Sequence, residues 1–225
     1  MGWFINNVLY RTVVLGKENI PQAGPVVFAA NHISFLDGPV LFAAASRPMH
    51  VLIKQEMFKG ALGSFLHGIG QLPVNRSGDR KALQRAKSIL DQGRSIGILP
   101  EGTRGDGTAA SVSGGVAWLA LNSDAVVVPV AILGTRHSGE GVNHVPRFGR
   151  RVVASFGEGL RVQRQPGESG RASMDRAAES IRAALANHVS TTAMRTGVPL
   201  PEVPLRELQN NILNSTTSRS AADHH

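Results

Sequence analysis

The chain has 225 residues, 42% hydrophobic and 18% charged, a composition that fits a globular domain with a substantial core and excludes a disordered polyelectrolyte. It has no cysteine, which excludes disulfides and thiolate metal sites. Its net charge of +8 points to an anionic partner: nucleic acid, an acidic lipid surface, a phosphorylated substrate or an acidic carrier protein.

In chain order, residues 1–12 form an aromatic, amphipathic segment in which Trp3, Phe4, Val8 and Tyr10 precede Arg11. Such a segment suits a membrane interface, and equally it suits packing on a domain core. It has neither the basic leader nor the long apolar core of a signal peptide, and no stretch approaches the roughly 20 apolar residues of a spanning helix. Val26 to Ala30, bounded by Gly24-Pro25, reads as a buried strand, and Pro39 opens a helix through Ala45. Met49 to Lys54 is an expected strand, Gln55 to Leu66 a helix, and Gly68 to Arg76 a glycine-broken turn carrying a short extended segment.

Ser77 or Asp79 caps the next helix, where Ala82, Leu83, Ala86, Ile89 and Leu90 share a face and Gly93 supplies the stop. Ser95 to Leu99 is a compact strand running into Pro100-Glu101-Gly102-Thr103-Arg104. Gly115 to Leu121 reads as a small-residue helix. Ala125 to Leu133 reads as a strand in which Pro129 implies a bulge, an edge or a break. Arg151 to Phe156 and Leu160 to Val162 look like further strands, and Ser173 to Val189 like a helix. This alternation implies a single α/β layered domain over 13–190, with a central, mostly parallel mixed sheet flanked by helices. The tail, 191–225, holds one short helix at Leu205 to Leu213 and a Ser/Thr-rich end expected to be disordered.

The chemistry concentrates at strand ends. His32 and Asp37 follow the first buried strand across a chain reversal. In a continuous helix a five-residue spacing would turn them about 140° apart, but across a turn they can meet. A carboxylate bonded to one ring nitrogen leaves the other basic, which suits proton abstraction from an alcohol near neutral pH. The alternative is that Asp37 only caps its helix and His32 is a polar turn residue. Arg76 ends an extended segment where a guanidinium could grip a phosphate, or it begins a basic helix face with Arg80, Lys81, Arg85 and Lys87. The Glu101 to Arg104 turn places a carboxylate, a glycine, a hydroxyl and a guanidinium together, fit to hold a polyhydroxyl phosphate.

Asn31-His32-x4-Asp37, Gly70-x-Leu72-Pro73-Val74-x-Arg76, Leu99-Pro100-Glu101-Gly102-Thr103-Arg104 and Val128-Pro129-Val130 resemble the four ordered motifs of the glycerolipid acyltransferases, and most closely those of the bacterial lysophosphatidic acid acyltransferases. The resemblance runs from about Val13 to Val162, with Gly16 to Pro21 and Lys54-Gln55-Glu56-Met57 as supporting similarities. It implies transfer of a fatty acyl group to the free hydroxyl of 1-acyl-glycerol-3-phosphate, giving phosphatidic acid in phospholipid synthesis. By the same resemblance His32 is the general base and Asp37 orients it. Asn31, Arg76, Glu101, Gly102, Thr103 and Arg104 hold the acceptor, and Val128, Pro129 and Val130 line the cleft. Backbone amides near the first motif are the candidate oxyanion donors.

No cofactor or metal is implied. The acyl donor is an acyl-coenzyme A or acyl-acyl carrier protein thioester, the partners are a lysophospholipid acceptor and an anionic membrane surface, and the location is peripheral, on the cytoplasmic side of the cell membrane. Residues 47–104 carry ten Arg/Lys against four Asp/Glu, a surface suited to acidic lipid or an acidic carrier.

Many relatives carry an aromatic-lysine pair about ten residues after the arginine of the Pro-Glu-Gly turn. Here Ala110 to Gly115 has no cation, which leaves room for another lysophospholipid or polyol acceptor. Other classes fit less well. Gly167-Glu168-Ser169-Gly170 is not a nucleophile elbow, Gly105-Asp106-Gly107-Thr108 is not a phosphate loop, and the eight histidines show no helical metal pairing. A nucleic-acid-binding module would use the same charge, but aromatics are only 5% and no basic, aromatic-interleaved strand occurs.

Overall fold

A computed structural model describes residues 10–75, 79–101 and 104–202. Among them β1 (Arg11–Leu15), β2 (Val26–Ala30), β3 (Met49–Lys54), β4 (Leu72–Val74), β5 (Ser95–Ile98), β6 (Val126–Leu133) and β7 (Arg151–Phe156) form one sheet in the order β1-β7-β6-β2-β5-β3-β4. Every pairing is parallel except that of β6 with β7. Helices α1 (Asp37–Ala44), α2 (Gly60–Gly68), α3 (Arg80–Asp91), α4 (Gly114–Asn122) and α5 (Gly170–Thr196) flank it. The fold is thus the α/β architecture expected from the alternating pattern. Arg76, Gly102, Thr103, residues 1–9 and the tail helix expected at 205–213 lie outside the described residues.

The central strand explains the two-sided core. All five residues of β2 are buried, as a parallel strand covered on both faces requires. Val27 and Ala29 pack on one face with Ile96, Val127, Ala86 of α3, Leu119 of α4 and Ile181 of α5. Val26, Phe28 and Ala30 pack on the other with Val128, Val130 and Leu41 of α1, and Phe28 meets Phe156 edge-to-face at 5.7 Å. Helix α3 is the clearest local signal. Asp79 caps it by accepting from Ala82 N at 3.0 Å, and Ala82, Ala86 and Leu90 turn inward.

Four expectations change. Gln55 to Leu66 is not one helix: a single 3-10 turn, Gln55–Met57, is followed by extended Lys59, and Gly60 restarts the chain at φ +58, a conformation that suits glycine. Pro129 does not interrupt β6. Val127 and Leu160 exchange hydrogen bonds at 2.9 Å, and Gly157 N donates to Pro129 O at 2.8 Å, so the edge of β6 that lacks an N–H at Pro129 faces the point where the chain has left the β7 ladder. Leu160 to Val162 is not a strand; Leu160 makes only an isolated bridge to Val127. The last helix is longer than Ser173 to Val189, starting after Ser169, whose hydroxyl accepts from Ala172 N at 3.2 Å. From the N-terminal segment, Tyr10 is buried in the core, and β1 begins at Arg11 beside β7.

Among the described residues no helix is long and apolar enough to cross a membrane, and no group of three or more His, Cys, Asp or Glu residues could hold a metal ion.

Candidate active site

Strand β2 lies between β5 and β6 and runs parallel to both. The three strands therefore deliver their carboxyl ends to one edge: Asn31-His32 after β2, Pro100-Glu101 after β5, and Thr135-Arg136 after β6. Crevices outside the carboxyl ends of such strands are where open α/β sheets bind ligands.

The structure brings His32 and Asp37 together. His32 Nδ1 lies 3.0 Å from Asp37 Oδ2, with the aspartate fully buried and the histidine side chain 15% exposed. Asp37 Oδ2 also accepts from Ile33 N and Ser34 N, each at 2.7 Å, and Oδ1 accepts from Thr135 Oγ1 at 2.6 Å. The carboxylate is an acceptor in all four contacts, so Nδ1 carries the proton facing it, and in the neutral imidazole the lone pair falls on Nε2. Asp37 is the first residue of α1, ahead of which Leu36 makes no side-chain cap. The carboxylate closes the turn preceding the helix instead of capping the helix.

The main chain of His32 is clamped as well. Its N–H donates to Glu101 Oε1 at 3.0 Å, and its carbonyl accepts from Gly105 N at 3.0 Å. Burial raises the Glu101 carboxyl to about 7, with the bond from His32 N–H pulling the other way and the charges of Asp106 and Asp37 adding to the rise. Two residues beyond Gly105, Gly107 sits at φ +73 against Ile33; a Cβ there would lie 2.2 Å from Ile33 Cγ2. The turn after β5 can therefore press on the His32 turn only with glycine at this position.

Other expected site residues are placed differently. Asn31 is buried, donating to Ile132 O at 3.1 Å and accepting from Ile132 N at 2.7 Å. It continues the β2–β6 ladder with its side chain and so positions His32 rather than facing an acceptor. Val128, Pro129 and Val130 are all buried within the sheet. A groove of about 630 Å³ lies elsewhere, lined by Thr108, Val189, Ala193 and Leu200 among others. The guanidinium of Arg104 bonds to Val142 O at 3.2 Å and to Asn143 Oδ1.

The amides expected as oxyanion donors are engaged from Asn31 through Ser34: Asn31 N with Val130 O, His32 N with Glu101, and Ile33 N and Ser34 N with Asp37. Two residues of the site, Thr135 and Arg136, were not anticipated. The signal for them is the same as at the other strand ends, a polar pair directly after an apolar strand, here behind Gly134 at the end of β6.

Fold and site together define an α/β domain with a carboxylate-bonded histidine at the carboxyl end of its central strand. The family model described as Acyltransferase matches residues 11–133, over half of the chain, and the protein belongs to that family. It is 34% identical over 146 residues to a 1-acyl-sn-glycerol-3-phosphate acyltransferase of Chlamydomonas reinhardtii, covering 59% of this chain and 44% of that protein. It is 31% identical over 132 residues to the 1-acyl-sn-glycerol-3-phosphate acyltransferase of Borreliella burgdorferi, covering 56% and 53%. It is 37% identical over 112 residues to the lyso-ornithine lipid O-acyltransferase of Pseudomonas aeruginosa, covering 48% and 43%. The chain thus spans about half the length of the curated relatives it matches. The crystal structure of the 1-acyl-sn-glycerophosphate (LPA) acyltransferase PlsC from Thermotoga maritima shares its fold, with a TM-score of 0.59 at 23% identity over 79% of this chain and 71% of that one.

Proposed function

We propose that the protein moves a fatty acyl group from an acyl thioester to the free hydroxyl of 1-acyl-glycerol-3-phosphate, giving phosphatidic acid for phospholipid synthesis. The observation that carries this reading is the His32–Asp37 pair, 3.0 Å apart at the end of the central strand, in a chain of the Acyltransferase family. His32 Nε2 takes the hydroxyl proton as the oxygen attacks the thioester carbonyl. The tetrahedral intermediate collapses with the C–S bond breaking, and the imidazolium returns the proton to the leaving thiolate, so no acyl-enzyme forms. Asp37, locked by three further donors, holds the tautomer and stabilises the imidazolium.

By the family resemblance, Glu101 and Arg104 bind the acceptor headgroup together with Arg76, Gly102 and Thr103. The thioester would come from coenzyme A or acyl carrier protein. Work on lysolipids favours a peripheral station on the cytoplasmic face of the membrane, and exposed Phe35, Met57, Leu62, Phe65 and Ile69 support contact with lipid.

A second reading is an acceptor without phosphate. It is favoured by the absence of a cation over Ala110 to Gly115 and by the likeness to the lyso-ornithine lipid enzyme.

His32→Ala is the test. Acyl transfer from labelled thioester should fall by about 10²- to 10⁴-fold, the usual contribution of general-base catalysis, while the thermal midpoint stays within a few degrees. Turnover near that of the unaltered protein would sink the mechanism.

A further inference from the structure

We infer that Arg136 is a specificity-determining residue that reads the phosphate of the acceptor; the inference rests on the acyl-transfer reading above and names the group that recognises its substrate. Arg136 is 6% exposed and is the sole arginine among the buried polar residues described. Its Nη2 donates to Gly105 O at 2.5 Å, while its Nε is enclosed with no hydrogen-bond partner. Among the described residues it forms no ion pair.

Other partly covered arginines are compensated. Arg150 has the Glu140 carboxylate at 2.5 Å and Arg176 has Glu168 at 2.8 Å, and Arg47 donates to the carbonyls of Pro21, Gly24 and Gly93. A buried cation with a single, neutral acceptor among the described residues is costly, and a ligand that brings negative charge removes the cost.

The position decides which ligand. Gly105 accepts from Arg136 through its carbonyl and donates through its N–H to His32 O at 3.0 Å, so a single residue bridges the guanidinium and the main chain of His32. Arg104 is the preceding residue on that turn. Thr135, next to Arg136, holds Asp37 Oδ1. Arg136 thus stands at the end of β6 within the His32 site, where the sequence after β5 offers no cation between Ala110 and Gly115. The missing charge comes from a different strand end. A phosphate monoester seated beside Gly105 completes the donor set of the guanidinium, whose planar fork matches phosphate oxygens in a way a lysine ammonium does not.

The test uses the full chain, with Arg136→Gln and Arg136→Lys, and two acceptors that differ only in phosphate: 1-acylglycerol-3-phosphate and 1-acylglycerol. Arg136→Gln should raise KM for the phosphorylated acceptor at least about tenfold, with a much smaller change for 1-acylglycerol, and Arg136→Lys should fall between. Independently of turnover, glycerol-3-phosphate should raise the thermal midpoint of the unaltered protein, an effect lost in Arg136→Gln and diminished in Arg136→Lys. Equal KM changes for both acceptors, or undiminished protection by glycerol-3-phosphate in the variants, would overturn the assignment and leave Arg136 as a structural tie to Gly105. Should the unaltered protein transfer acyl groups to neither acceptor, the proposed function fails, and glycerol-3-phosphate protection alone decides on Arg136. If Arg136→Gln does not fold, the comparison stands on Arg136→Lys.

Discussion

Thr135 reaches across 98 residues of sequence to place its hydroxyl 2.6 Å from a carboxylate oxygen, and both side chains are fully buried. A valine of the same shape would leave Asp37 Oδ1 without that donor, at about 1–3 kcal/mol for a buried polar group unmatched. Thr135→Val should lower the denaturant midpoint accordingly and reduce kcat roughly tenfold by freeing Asp37 to turn, whereas Thr135→Ser should restore kcat. A kcat unchanged in Thr135→Val would show that Asp37 is held well enough by Ile33 and Ser34.

Glu101 gives a prediction of opposite sign to the usual carboxylate. Burial raises it to about 7 from 4.5, so the folded protein binds an extra proton between these values and loses stability as pH rises through that window, by on the order of 3 kcal/mol. Glu101→Gln keeps an oxygen for His32 N–H but has no proton to lose. Its thermal midpoint should therefore vary less than that of the unaltered protein between about pH 5 and pH 8; coincident slopes would rule out titration of Glu101 in this range. At this scale His32 and Asp37 were legible because five residues separate them and one turn joins them. Thr135 and Arg136 were not, because no local pattern tells which distant strand lies beside β2.

Elements were legible where their own sequence pattern determined them. The wholly apolar β2, the wholly buried β5 and the capped, one-faced α3 were readable because burial and capping are local to each segment. The misread elements were settled by their neighbours. Pro129 sits inside β6 because the chain has left β7 opposite its missing donor, with Gly157 N bonded to its carbonyl. Leu160 resembles a strand residue yet has only Val127 to pair with. Helix α2 starts late because Gly60 takes a left-handed turn that apolar periodicity does not register. Strand β1 owes its order to the parallel register of Arg11 to Leu15 with Arg151 to Ser155, a partner some 140 residues away. The mostly parallel sheet was nevertheless legible as a class, since strands alternating with helices leave few other arrangements.

For the molecule as a whole, charge and exposed apolar surface point the same way. The net charge of +8 attracts anionic lipid, each basic residue near the membrane surface contributing about 1 kcal/mol. Leu62 and Phe65 on α2, 48% and 41% exposed, with Met57 in the turn leaving β3 and Phe35 in the His32 turn, offer side chains that the bilayer interface would shelter. Full burial of one such side chain is worth about 1.5–3 kcal/mol, so partial insertion of two should change partitioning by about tenfold or more. The Leu62→Asp, Phe65→Asp double variant should bind vesicles of mixed anionic and neutral phospholipid at least about tenfold more weakly in a sedimentation assay. Added salt should weaken the unaltered protein further, because the attraction of surface charges is screened within about 10 Å at 0.1 M. Circular dichroism would verify that both aspartates leave the fold intact, as their exposed positions require. Binding insensitive to the double substitution would place the lipid contact on another face. Binding insensitive to salt would mean that the net positive charge serves something other than the membrane.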